Sequence, residues 1–105
     1  MQYMFHGTRV FNQPIGKWNV SNVENMNGMF YKTETFNQPL NNWDVSNVKD
    51  TANMFCQAKS FNQPIGDWDV GNVKTMNSMF YETQIFNQSL NNWDVTNVEN
   101  MNHMF

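Results

Sequence analysis

Side chains able to do acid–base or nucleophilic work are few in this chain: His6, His103, Cys56 and nine carboxylates among 105 residues. Hydrolysis or group transfer needs a nucleophile within reach of a base, and a third group to orient that base. The spacing brings no such set together. His6 follows a Met-Phe pair and His103 precedes one, so they cannot be one duplicated site, and both read as surface or end positions. Cys56 stands where His6, Tyr31 and Tyr81 stand after their own Met-Phe pairs, and reads as a small packed residue. One cysteine leaves no internal disulfide and no cysteine-based metal site. No enzyme, no cofactor and no resident metal are expected.

The polar residues beside the tryptophans are more suggestive: Lys17 and Asn19, then Asn41, Asn42 and Asp44, then Asp67 and Asp69, then Asn91, Asn92 and Asp94. If the tryptophans lie on parallel strands of successive coils, these residues form a polar, mildly acidic ladder on a concave face. Asp44, Asp69 and Asp94 then stand in a row about 4.8 Å apart. Like charges at that spacing repel, which favours a cation or a basic partner. Calcium is a weak candidate, because it takes six to eight oxygens and no D-x-[DN]-x-[DN]-G loop is present. The expected partner on this face is a protein or a glycan. Two N-x-[ST] triplets, Asn19-Val20-Ser21 and Asn87-Gln88-Ser89, carry little weight in a chain with so many asparagines.

What must position these residues is a repeat. Phe-Asn-Gln recurs at Phe11, Phe36, Phe61 and Phe86, always 25 residues apart. Trp18, Trp43, Trp68 and Trp93 keep the same step, as do a Val-x-Asn-Val block starting at Val20 and a closing Met-Phe pair. A 50-residue rhythm lies over it, with Ile-Gly before the tryptophan in the first and third units and Leu-Asn-Asn in the second and fourth. The composition follows: 9 Phe, 9 Met, 9 Val and 19 Asn against 2 Leu are columns of a repeated unit. The chain reads as one array over residues 1–105, with units starting near Phe11, Phe36, Phe61 and Phe86, and as a segment of a longer array.

A formal charge of −3 with lysine and arginine scattered singly offers no basic stripe for nucleic acid. No run of 18 apolar residues and no signal-peptide pattern occurs, so no membrane insertion is expected within this segment.

Within one unit, Leu40-Asn41-Asn42-Trp43-Asp44-Val45 matches the L-x-x-L-x-L strand of a leucine-rich repeat, with Trp43 and Val45 pointing in and Asp44 out. Asn22, Asn47, Asn72 and Asn97 form an expected structural ladder in which each side-chain amide satisfies backbone at a turn. From Met26 the spacing changes to threes and fours through Met29, Phe30, Thr33 and Phe36, which predicts a short α or 3₁₀ segment near 25–33. The fold expected is therefore an α/β repeat solenoid, leucine-rich-repeat-like, with one short parallel strand and one short helical segment per repeat. The Phe, Trp and Met columns are expected to form its core.

The run Phe36-Asn37-Gln38-Pro39-Leu40-Asn41-Asn42-Trp43-Asp44-Val45-Ser46-Asn47-Val48, followed by Met-x-x-Met-Phe as at Met26 to Phe30, resembles the repeat of BspA-type leucine-rich-repeat surface proteins of the mycoplasma-lipoprotein variety. The resemblance covers practically the whole chain. It implies a right-handed solenoid that is extracellular or on the cell surface, used in adhesion or recognition, and it brings no catalytic residues.

Met1, Met4, Phe5, Met101, Met104 and Phe105 put core-type residues at both ends, where an array usually carries polar caps. Two functions are expected from different classes. One is an adhesin-like interaction module; the other is a structural subunit of a filament or surface layer built by end-to-end stacking.

Overall fold

Seven non-glycine residues sit at left-handed φ, and they decide what the backbone does. Tyr3, Asn53, Ser78 and His103 occupy one position of the repeat, together with Gly28; Lys32, Gln57 and Glu82 occupy another four residues on, together with Gly7. A left-handed residue every fourth position cannot continue a right-handed helix. The segment from Met26 instead makes overlapping turns. Met29, Tyr31 and Thr33 donate their N–H groups three residues back, to the carbonyls of Met26, Gly28 and Phe30, at 3.0–3.2 Å. The residues between, Met26, Gly28, Phe30 and Lys32, donate instead to the next unit, at the carbonyls of Asp50, Ala52, Met54 and Cys56, at 2.8–2.9 Å. The same alternation recurs one unit on, where Thr51, Asn53, Phe55 and Gln57 reach Thr75, Asn77, Met79 and Tyr81.

The computed structural model describes residues 1–105, and it corrects the expected α/β solenoid with its leucine-rich-repeat coil. No residue is helical, and strand character is confined to isolated parallel bridges joining Asn25, Asp50, Thr75 and Asn100. The three-and-four spacing of Met26, Met29, Phe30 and Thr33 comes from chained turns, not from a helix near 25–33. Nor is there a strand through Trp43. Trp43 and Val48 donate their N–H groups locally, to Leu40 and Val45, so the backbone there turns back on itself where a strand would pair with its neighbour. The inward–outward alternation survives all the same: Trp43 and Val45 are buried and Asp44 is exposed.

Between units this second half is held by side chains. The indole N–H of Trp43, Trp68 and Trp93 donates to the carbonyls of Ile15, Leu40 and Ile65 at 2.9–3.0 Å. Three of the four expected asparagine rungs form, with the amides of Asn47, Asn72 and Asn97 donating to the carbonyls of Ser21, Ser46 and Gly71 at 2.7–2.8 Å, while Asn22 lies outside the ladder. Phe-Asn-Gln is a third such ladder. Asn12 Oδ1 accepts the Asn37 N–H and the Gln38 amide, Asn37 serves Asn62 and Gln63 in the same way, and Asn62 serves Asn87 and Gln88. Side-chain bonds thus tie the turns of one unit to the backbone of the next.

The core expected from the repeated columns is present. Phe5, Phe30, Phe55, Phe80 and Phe105 stack at 5.4–5.8 Å, and Phe11, Phe36, Phe61 and Phe86 stack beside them at 5.6–6.1 Å. Facing rings of the two columns lie 4.0–4.4 Å apart and nearly parallel, an offset-stacked arrangement. Met26, Met29, Met54, Met76 and Met79 fill the space around the rings and are fully buried. With a radius of gyration of 12.3 Å the stack is as compact as an ordinary globular domain, for which about 13 Å is usual.

Candidate binding face

All ten residues expected on the concave ladder, Lys17, Asn19, Asn41, Asn42, Asp44, Asp67, Asp69, Asn91, Asn92 and Asp94, are exposed. They do not line a sheet, because no sheet forms there. Four of them are occupied by their own backbone. Asn19 Oδ1 accepts the N–H and hydroxyl of Ser21, Asp44 those of Ser46, Asp94 those of Thr96, and Asp69 the N–H of Gly71, at 2.6–3.1 Å. These contacts close the turn after each tryptophan. The Ser46 hydroxyl, then its amide, hold the Asp44 carboxyl below the usual range; the Thr96 amide, then its hydroxyl, do so for Asp94. The acidic row does not converge on a metal-holding cluster. Asn41, Asp67 and Asn92 meet Gly66, Gln88 and Ser89 around an open depression of about 290 Å³. Lys17 takes part in none of the ion pairs.

The expected chemistry-bearing residues stay apart. His6 is exposed and stacks on Tyr31 at 5.0 Å, while His103 lies edge-on to Tyr81 at the other end of the stack. Cys56 is buried, and burial, reinforced by the Glu82 carboxylate, pushes its thiol pKa up, which disfavours the thiolate.

A more developed site lies elsewhere, on the turns that follow each Met-Phe pair. An open groove of about 490 Å³ is lined there by Lys32, Glu34, Gln57, Lys59, Glu82 and Gln84, with no apolar side chain among them. The chain builds it by alternation: Thr33, Ala58 and Thr83 point into the core, and the residues on either side of each point out. Thr33 and Thr83 stay satisfied by donating their hydroxyls to the carbonyls of Phe30 and Phe55. Glu34 stands between two cations, Arg9 at 3.9 Å and Lys59 at 3.7 Å, and the Gln57 amide donates to Glu82. The ammonium of Lys32 lies 5.1 Å from the centre of the Tyr31 ring.

None of the residues flanking the tryptophans lines this groove, yet the sequence carries a signal for it. Tyr31-Lys32-Thr33-Glu34-Thr35, Cys56-Gln57-Ala58-Lys59-Ser60 and Tyr81-Glu82-Thr83-Gln84-Ile85 differ at nearly every outward position, while the Phe-Asn-Gln that follows each does not change. Variation at outward positions beside an unchanging Phe-Asn-Gln separates residues that hold the stack from those free to carry something else.

At the ends, Met4, Met101 and Phe105 are exposed, Met1 and Phe5 are half-buried against the core, and Met104 is buried. No helix is long and apolar enough to cross a membrane.

No curated protein and no solved structure matches the chain. A family model does, over its full length: the chain belongs, through residues 1–105, to the family described as Mycoplasma protein of unknown function, DUF285.

Proposed function

We propose that this chain is a non-catalytic binding module, secreted or displayed on a cell surface, that holds another protein or a glycan in an adhesin-like role. The observation that carries the reading is the groove of Lys32, Glu34, Gln57, Lys59, Glu82 and Gln84, a continuous polar depression whose outward residues differ in every unit beside the repeated Phe-Asn-Gln. The likeness of the repeat to that of BspA-type surface proteins supports the location, and the separation of His6, His103 and Cys56 supports a role without catalysis. The test is adhesion of the labelled chain to host cells and matrix-coated surfaces. Charge reversal of Lys32 and Lys59 to Glu should abolish adhesion while Asn41→Ser and Asn91→Ser leave it unchanged; adhesion indifferent to both pairs removes the reading.

A second reading, a structural subunit stacked end to end, is favoured by the polarity of the ladders. Backbone N–H groups run toward the unit that follows, as from Met26, Gly28 and Phe30 to Asp50, Ala52 and Met54, while indole N–H groups run the other way, as from Trp68 to Leu40. Every layer therefore presents one half of each ladder on one side and the complementary half on the other. Such head-to-tail contacts do not close on themselves and would build a filament. Light scattering that rises with concentration, with regular fibres in micrographs, is the expected result; a monomer at all concentrations excludes assembly.

A further inference from the structure

We propose that the groove binds a linear, uncharged glycan laid along the stacking direction, with one sugar ring to each row of the repeat. The proposal rests on the reading of that groove as the binding surface and names its ligand class.

The first support is backbone conformation. Lys32, Gln57 and Glu82 hold φ of 59°, 56° and 55°, where the corresponding residue of the first repeat is Gly7 at 71°. Glycine is the least strained residue at such a φ, and a long side chain there is retained against that preference. The φ belongs to the chained turns, since Tyr3, Asn53, Ser78 and His103 hold it at the other left-handed position; what distinguishes Lys32, Gln57 and Glu82 is the long polar side chain each carries there. All three side chains line the groove.

Charge comes next. The two lysines and two glutamates of the lining sum to zero, and the carboxylates already have partners: Glu34 faces Arg9 and Lys59, and Glu82 takes the Gln57 amide. A strongly charged partner would have to break these contacts and would find no net field to steer it. A hydroxyl group needs neither, because it can accept from a lysine or glutamine N–H while donating to a glutamate or glutamine oxygen.

Spacing supplies the third argument. Equivalent rings in successive units are 5.4–6.1 Å apart, so successive rows of the groove, each with its own polar pair, follow one another at about that interval. This is close to the advance of one pyranose ring in an extended glycan. An extended peptide advances about 3.4 Å per residue and returns to the same face only every ~7 Å, which slips out of step within a few rows.

The experiment uses the 105-residue chain on an array of neutral linear oligosaccharides of glucose, N-acetylglucosamine, galactose and mannose, with titration calorimetry on the strongest responders. Expected is binding by at least one hexasaccharide, equal at low and at physiological salt. The double variant Gln57→Gly, Gln84→Ala should weaken it about tenfold, the size of two lost neutral hydrogen bonds. Gln57→Gly takes the residue of the Gly7 position, so folding persists, and the thermal unfolding curve verifies this. The proposal is overturned by silence across the array, by binding that collapses with salt, or by binding that the variant leaves intact. A peptide of alternating Lys and Glu, run in parallel, separates the two failures. If it binds and the variant blocks it, the glycan is wrong and the binding face stands; if neither ligand binds, both are wrong.

Discussion

At Asp44 the carboxylate accepts the hydroxyl and amide of Ser46, and at Asp94 it accepts those of Thr96, so both turns are closed by a charged acceptor. Both carboxyls sit below their ordinary pKa in the folded chain. The stability they add is present above the unfolded value, about 3.9, and is lost as pH falls through it toward the folded value. Unfolding temperature should therefore drop as pH falls below about 4. Asn19 closes the same turn without a charge, so Asp44→Asn with Asp94→Asn should flatten that drop in circular dichroism melts, whereas alanine at both positions should lower stability at every pH. Lys32 and Glu82 give a second test at this scale. Replacing either by glycine relieves the left-handed backbone and should raise stability by about 0.5–1 kcal/mol in urea titrations, while Lys32→Ala should not. A gain from glycine accompanied by loss of adhesion would show stability and binding drawing on the same positions.

At the scale of the repeated unit, the energetics belong to the ring columns and the indole bonds. Phe55 is fully buried between Phe30, Phe61 and Phe80, and Phe55→Ala should remove about 3–5 kcal/mol, measured by urea unfolding. Phe11, half-buried on the outermost layer, should lose clearly less. Trp68→Phe keeps most of the ring but removes the indole bond to the Leu40 carbonyl, which retains the Trp43 N–H, for a loss of about 0.5–1.5 kcal/mol. These columns could be read from the sequence, because a residue type recurring every 25 positions has one environment repeated, and that environment must be apolar for Phe, Met and Trp. The Asn47, Asn72 and Asn97 rungs were legible for the same reason. The backbone between them was not. Met26, Met29, Phe30 and Thr33 have helical spacing, yet residues as different as Asn53, Ser78 and His103 share the left-handed position that forbids a helix, and residue type does not announce it there. Leu40 to Val45 alternates like a strand, but its inter-unit bonds come from tryptophan and asparagine side chains, so the pattern of burial is right and the pattern of pairing is not. The groove at Lys32 went unread because its residues follow no column; their lack of repetition is the signal.

For the whole molecule, stability should be graded along the stack, since each layer contacts only its neighbours. Phe30, Met54 and Phe55 lie in fully covered layers, whereas Met4, Trp18, Met101 and Phe105 remain exposed at the ends. Hydrogen exchange should be slowest at the amides of Phe30 and Phe55 and fastest in residues 1–10 and 95–105, with uniform protection as the contrary result. The polarity of the ladders has a mechanical consequence as well. Each layer is one continuous loop of 25 residues held to the next by a row of backbone bonds on one side and rows of indole and asparagine bonds on the other. Tension applied at the two termini loads those rows one after another, so layers should peel singly from an end, each releasing up to about 85 Å of slack. A tether made of such layers would lengthen in even steps under load and shorten again when the load fell, a shock absorber whose travel grows with every repeat added.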